Sequence, residues 1–272
     1  MAALELAYSS VRGNLHRIRE LPNQDAIDIK ELEGAYIISL ADGHGSQTCF
    51  RSELGSRMAV EVAGEIIANK LVETDFDVKG IESDAKNICM EISKLWEKKV
   101  LDHLSANAFI DSEVASLNEV KQKQLGRNAL LAYGTTLMSV LVSDYKIIVF
   151  NIGDAELLIK HKDSDEVHVL NPSKRIGNET ESLSLLDAYN YFTTHVYDPA
   201  MIRAMLLATD GYPNSFKIED GYLKVIDDLI DISKTHGMEA VQKNFESWLV
   251  DTSEKGSGDD ITACFIKMND PN

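Results

Sequence analysis

The chain has 272 residues, 44% of them hydrophobic, which is enough for one large domain with a sizeable core. Forty-four acidic residues against 27 basic ones give a formal net charge of −17, and no basic patch relieves it, so non-specific nucleic-acid binding is not expected. No apolar run reaches the roughly 18 residues of a membrane span, the first residues lack a secretory pattern, and Cys49, Cys89 and Cys264 lie at unrelated spacings. These features argue against a membrane protein, a disulfide framework and a cysteine zinc site, and the expected location is cytoplasmic.

Without an internal repeat, low-complexity tract or linker, residues 1–272 read as a single domain. Residues 34–42 form a continuous apolar run ending in a carboxylate, which predicts a buried strand delivering Asp42 to a sheet edge. A tight turn and a helix over 53–71 follow, with Leu54, Met58, Val62 and Ile66 on one face. A second long helix is predicted over 79–104, with Ile81, Ile88, Ile92, Leu95 and Trp96 as its apolar members. The period then changes. Residues 136–142 and 146–152 predict an antiparallel hairpin, and 156–161 with 166–170 another pair. Strands over 191–197 and 204–209 come next, then two helices, the later one burying Met238, Val241, Phe245 and Leu249. Residues 261–267 form the last strand. Hairpins without regular β-α-β alternation predict a layered α+β domain.

Three of these apolar strands adjoin aspartate beside glycine, at Asp42-Gly43, Asp210-Gly211 and Gly258-Asp259-Asp260. A weaker variant is Gly153-Asp154. Asp-Gly is ordinary turn chemistry, yet carboxylates at the ends of three rigid strands can converge with little positional slack. Converging aspartates without cysteine or histidine partners need a hard cation, and all-oxygen coordination suits magnesium or manganese. Gly43 lets its carbonyl approach an ion closely. His44, in the same turn, has the near-neutral pKa of a proton donor. Asp25, behind Asn23-Gln24, reads either as part of a polar loop or as a contact to metal-bound water, with Arg17 or Arg19 as a phosphate clamp.

Taken in order, Pro22-Asn23-Gln24-Asp25, Ala41-Asp42-Gly43-His44-Gly45, Gly134-Thr135-Thr136, Asn151-Ile152-Gly153-Asp154, Ala208-Thr209-Asp210-Gly211 and Gly258-Asp259-Asp260-Ile261-Thr262 resemble the successive motifs of the protein phosphatase 2C family. Gly13-Asn14-Leu15-His16 is similar to its bacterial branch. The resemblance, over residues 13–267, implies two central antiparallel β-sheets sandwiched by α-helices. It implies two divalent cations, Mg2+ or Mn2+, with Asp42 bridging them. The Gly43 carbonyl would bind one ion, Asp210 and Asp259 the other, and Asp25 would act through metal-bound water. It further implies water attack on phosphoserine or phosphothreonine of protein substrates, with His44 protonating the departing oxygen. A cognate serine/threonine kinase is the natural functional opposite.

There are departures. Gln24 stands where the family usually has an acid, and Glu20 where its phosphate-binding arginine lies. Leu130, Leu131, Ala132 and Tyr133 occupy the region where a third-metal aspartate is expected, and Ser46 replaces a common glycine. Asp154 is expected to order a turn. Gln24 and the displaced arginine motivate an alternative, a pseudophosphatase that binds phosphoproteins without turnover. A third possibility is an unrelated α+β domain with coincidental Asp-Gly turns.

Overall fold

The computed structural model describes residues 4–75, 77–171 and 180–268. The expected strand over 34–42 is present as Ala35–Ala41 (β3), preceded by two strands the sequence reading did not anticipate, Glu5–Val11 (β1) and Ala26–Leu32 (β2). Leu137–Ser143 (β4) and Ile147–Ile152 (β5) form the expected hairpin, and Glu156–His161 (β6) pairs with Val167–Leu170 (β7). Thr193–Tyr197 (β8), Ile202–Ala208 (β9) and Ile261–Lys267 (β10) complete the set.

These strands form two five-stranded antiparallel sheets, ordered β2-β3-β4-β5-β8 and β1-β10-β9-β6-β7. Alternation along β3 shows why they stack. Ile38 and Leu40 point into the layer between the sheets, against Leu157, Met205 and Leu207 of the second sheet. Ala35, Ile37 and Ala41 point the other way, into a core shared with helices Ser52–Glu73 (α2) and Ala85–Ala106 (α4), to which the short helices Asp111–Val114 (α5) and Glu119–Arg127 (α6) add Val114 and Leu125. On the far side, Glu219–His236 (α7) and Met238–Lys255 (α8) cover the second sheet through Ile226, Val241, Phe245 and Leu249. The result is the expected four-layer α+β sandwich, helices outside and sheets within. Phe245 is buried and Trp248 packs at the edge of that core, so these aromatics serve packing.

Two details differ from expectation. The helix expected over 79–104 is broken at Asp84 into Val78–Ser83 (α3) and α4. On α2 the fully buried stripe is Ala59, Ala63, Ile67 and Leu71, with Val62, while Leu54, Met58 and Ile66 are only partly buried. Small residues bring α2 close to its sheet and to α4, where the Trp96 indole donates to the Gly55 carbonyl at 2.9 Å.

Candidate active site

Three strand ends meet above the sandwich. β3 runs directly into Asp42, whose backbone is fixed from the neighbouring strand. Its N–H donates to Thr136 Oγ1 at 3.0 Å, and its carbonyl accepts from Thr135 Oγ1 and Thr136 N, each at 2.9 Å. The Gly43 N–H donates to the Gln24 carbonyl at 3.1 Å. A Cβ at Gly43 would lie 2.6 Å from that carbonyl oxygen and 2.8 Å from that of Ser52, so only glycine fits. β9 delivers Asp210, to whose carboxylate the Asn214 amide donates at 3.1 Å. The turn into β10 delivers Asp259 and Asp260, through Gly258 at φ +76°, a left-handed conformation that favours glycine.

Asp42, Asp210 and Asp259 line one cavity of ≈ 280 Å³, together with Gly43, His44, Arg19 and Gln24. The structure therefore brings together most of the residues singled out in the sequence. Asp25 lies behind the cavity lining, buried, with Thr209 Oγ1 donating to its carboxylate at 2.8 Å. Arg17 does not line the cavity. It turns outward to pair with Glu254 on α8, which leaves Arg19, exposed at the rim, as the arginine facing the site. Asp154, expected only to order a turn, also lines the cavity and accepts from Thr180 Oγ1 at 2.8 Å.

Burial pushes Asp42 well above the usual carboxylate range, and Asp25 and Asp210 push further. Burial also raises Asp25, with Asp260 adding to it, and lifts Asp210 to about 6. Asp42 and Asp210 are neighbours whose carboxyl groups act on each other, so a proton or a cation at this end of the cavity relieves the pair. Gln24 Oε1, buried in the same lining, has no hydrogen-bond partner although its amide nitrogen donates to Ser52 Oγ at 2.7 Å. Burial lowers His44.

Asp260 contrasts with all of these. It is 4% exposed, and its carboxylate accepts from Gly13 N at 2.6 Å, Gln24 N at 2.7 Å and His16 Nδ1 at 2.8 Å. It ties the N-terminal segment that carries Gly13, His16 and Gln24 to the turn before β10. His16, on the short helix Asn14–Ile18 (α1), is raised by that hydrogen bond and lines the cavity. Neither His16 nor Asp260 was singled out as a functional residue from the sequence. The available signal was the aspartate doublet, one member exposed and the other buried. Among the described residues no three histidine, cysteine or carboxylate side chains already close around one ion-sized point.

The sequence profile described as Protein phosphatase 2C matches residues 12–250. Solved structures share the fold at low identity. One described as a bacterial serine phosphatase is 16% identical, covers 99% of this chain and 100% of its own, and has a TM-score of 0.63. The serine/threonine phosphatase Stp1 from Staphylococcus aureus is 15% identical over 98% of this chain and 96% of its own, with a TM-score of 0.61. The S. agalactiae serine/threonine phosphatase is 18% identical over 98% of this chain and 100% of its own, with a TM-score of 0.58. No curated protein matches by sequence. Fold, cavity and profile together define the class: the chain belongs to the protein phosphatase 2C family, whose members are serine/threonine protein phosphatases acting on phosphorylated proteins. Among the described residues no helix is long and apolar enough to cross a membrane.

Proposed function

We propose that this phosphatase hydrolyses phosphoserine and phosphothreonine in proteins with two Mg2+ or Mn2+ ions held by Asp42, Gly43, Asp210 and Asp259. The observation that carries the reading is the convergence of three strand-end carboxylates on one cavity, two of them raised by burial and by neighbouring acids. The donor set fits hard cations. It is all oxygen, it is short of compensating positive charge, and Gln24 Oε1 adds an unsatisfied oxygen. Such ions retain several waters and take only one or two carboxylates each, so a preformed protein cage is not required.

Bound there, the ions would supply an activated water and neutralise charge growing on the phosphoryl oxygens. The chain's own residues do the rest. Asp42, Asp210 and Asp259 would hold the ions, with the Gly43 carbonyl beside Asp42 as a neutral donor. Asp25, behind the lining, acts at one remove through an intervening water. Arg19 approaches from the rim, where a planar guanidinium can take two phosphate oxygens. His44 lines the cavity beside Asp42, placed to protonate the departing serine or threonine oxygen, and because burial lowers it this role is favoured on the acid side of neutral. A cognate kinase would generate the substrate.

The test is hydrolysis of a phosphothreonine peptide with Mn2+ or Mg2+. Asp42→Ala is expected to lower kcat/KM at least about a thousandfold, roughly 4 kcal/mol of transition-state stabilisation. If the wild-type chain shows no activity above that variant with either metal, the reading fails. The neutral Gln24 favours a second reading, a binding module without turnover. Calorimetry showing no uptake of micromolar Mn2+ would support it instead.

A further inference from the structure

We propose that His16 is a protein ligand of the ion held by Asp259, adding one imidazole nitrogen to an otherwise all-oxygen centre. The inference rests on the divalent-cation reading above and goes beyond it in naming a ligand of a different chemical kind.

The ring's orientation is fixed from both sides. Its Nδ1 lies 2.8 Å from Asp260 Oδ2, and that carboxylate is buried and already accepts two backbone N–H groups, so Nδ1 is the nitrogen that carries the hydrogen. The backbone of α1 is equally constrained. Leu15 N donates to the Gly258 carbonyl at 2.8 Å, while the His16 carbonyl accepts from Leu21 N at 2.9 Å and Arg12 Nη2 at 3.0 Å. His16 is only 9% exposed, and the exposed part faces the cavity. Nε2 faces the cavity 3.8 Å from Asp259 Oδ1, pairing with that carboxylate while the ring is protonated and offering a lone pair once a cation displaces the proton.

That separation is too long for a hydrogen bond. A shift of about 1 Å or less would bring the two atoms to the separation of neighbouring donors of one ion. Ligands at about 2.1 Å stand roughly 3.0 Å apart at a right angle and about 4.2 Å apart when opposite. A histidine donating its second nitrogen to a buried carboxylate is the usual way a protein orients an imidazole toward a metal and makes it more basic. A ring acting instead as a cationic clamp for substrate phosphate would have its Nε2–H beside the same aspartate that holds the ion, where the cation's charge opposes it.

Pulsed electron spin-echo measurements on the Mn2+-loaded full chain test this directly. The expected result is a directly bound histidine nitrogen coupling that changes when histidine is labelled with 15N. It should persist in His44→Ala and disappear in His16→Gln. Calorimetry should show His16→Gln weakening Mn2+ binding at least about tenfold, with a smaller change for Mg2+, which gains less from nitrogen. The wild-type spectrum decides the matter even if a variant folds poorly. Tight Mn2+ binding without nitrogen coupling overturns the role of His16 and leaves the metal centre standing, as does a coupling lost in His44→Ala and kept in His16→Gln. Failure of the wild-type chain to bind Mn2+ overturns both.

Discussion

Asp42 and Asp260 are both inward-facing carboxylates at the mouth of the same sandwich, yet their surroundings differ in kind. Asp260 is provided for by the protein itself, with two backbone N–H groups and an imidazole nitrogen within 2.8 Å. Asp42 has the carboxyl groups of Asp25 and Asp210 as neighbours, so its surroundings raise its energy when ionised. A buried acid whose hydrogen bonds are complete holds a structure together. One whose neighbours are other acids is arranged for something that arrives from outside. The two sides of the cavity therefore separate what builds the site from what the site is built to bind.

The sharpest way to break this contrast is Asp260→Ala. Removing the shared acceptor leaves Gly13 N, Gln24 N and His16 Nδ1 without partners, and about 3 kcal/mol of stability should be lost. Thermal unfolding should fall by roughly 6–12 °C. An unchanged transition would show that Asp260 is not structural. His44→Ala should do the reverse, leaving the transition within about 2 °C while lowering kcat on a phosphothreonine peptide about a hundredfold. On para-nitrophenyl phosphate, whose leaving group needs no proton, the loss should be much smaller. Equal losses on both substrates would remove His44 from the leaving-group side.

Arg19→Ala sits lower on this scale. KM for the peptide should rise about tenfold, the value of one charge-assisted contact, with kcat nearly unchanged, and Arg17→Ala should do neither. The smallest effect is on stability without cations. Asp25, Asp42 and Asp210 have raised values in the folded chain, Asp210 at about 6 against 3.8 for the ordinary carboxyl. The folded state thus holds protons that the unfolded chain releases. That contribution is complete below about pH 4 and is lost as pH rises through 6 and above. In chelator, Asp42→Asn should consequently raise the unfolding temperature at pH 7.5 by a few degrees, corresponding to about 1 kcal/mol, and change little at pH 4. A variant less stable than wild type at pH 7.5 would contradict the assignment of Asp42 as uncompensated.

How much of this was legible in the sequence follows from the same physics. β3, β4 and β5 were readable because they are almost wholly buried, so their apolar runs are continuous. β1 and β2 are edge strands with mixed burial, and polar residues such as Ser9, Ser10 and Asp28 dilute their pattern. The break between α3 and α4 at Asp84 leaves the apolar periodicity of Ile81 and Ile88 undisturbed, so the two helices read as one. In the site, Asp42 and Asp210 announced themselves through local context, each ending a strand beside glycine. His16 and Asp260 meet through a contact across 244 positions, which no local pattern encodes. Arg17 and Arg19 could not be separated by spacing, because what distinguishes them is Glu254 on α8.

Thermal unfolding of the wild-type chain at pH 7.5, in chelator and then in saturating Mn2+, tests the central claim most directly. With Mn2+ at about a hundred times its dissociation constant, the fold should gain about 2.7 kcal/mol, a rise of roughly 5–10 °C that Asp42→Asn abolishes. An unfolding temperature indifferent to Mn2+ would mean that Asp42, Asp210 and Asp259 converge without holding a cation, and the proposed chemistry would have no basis.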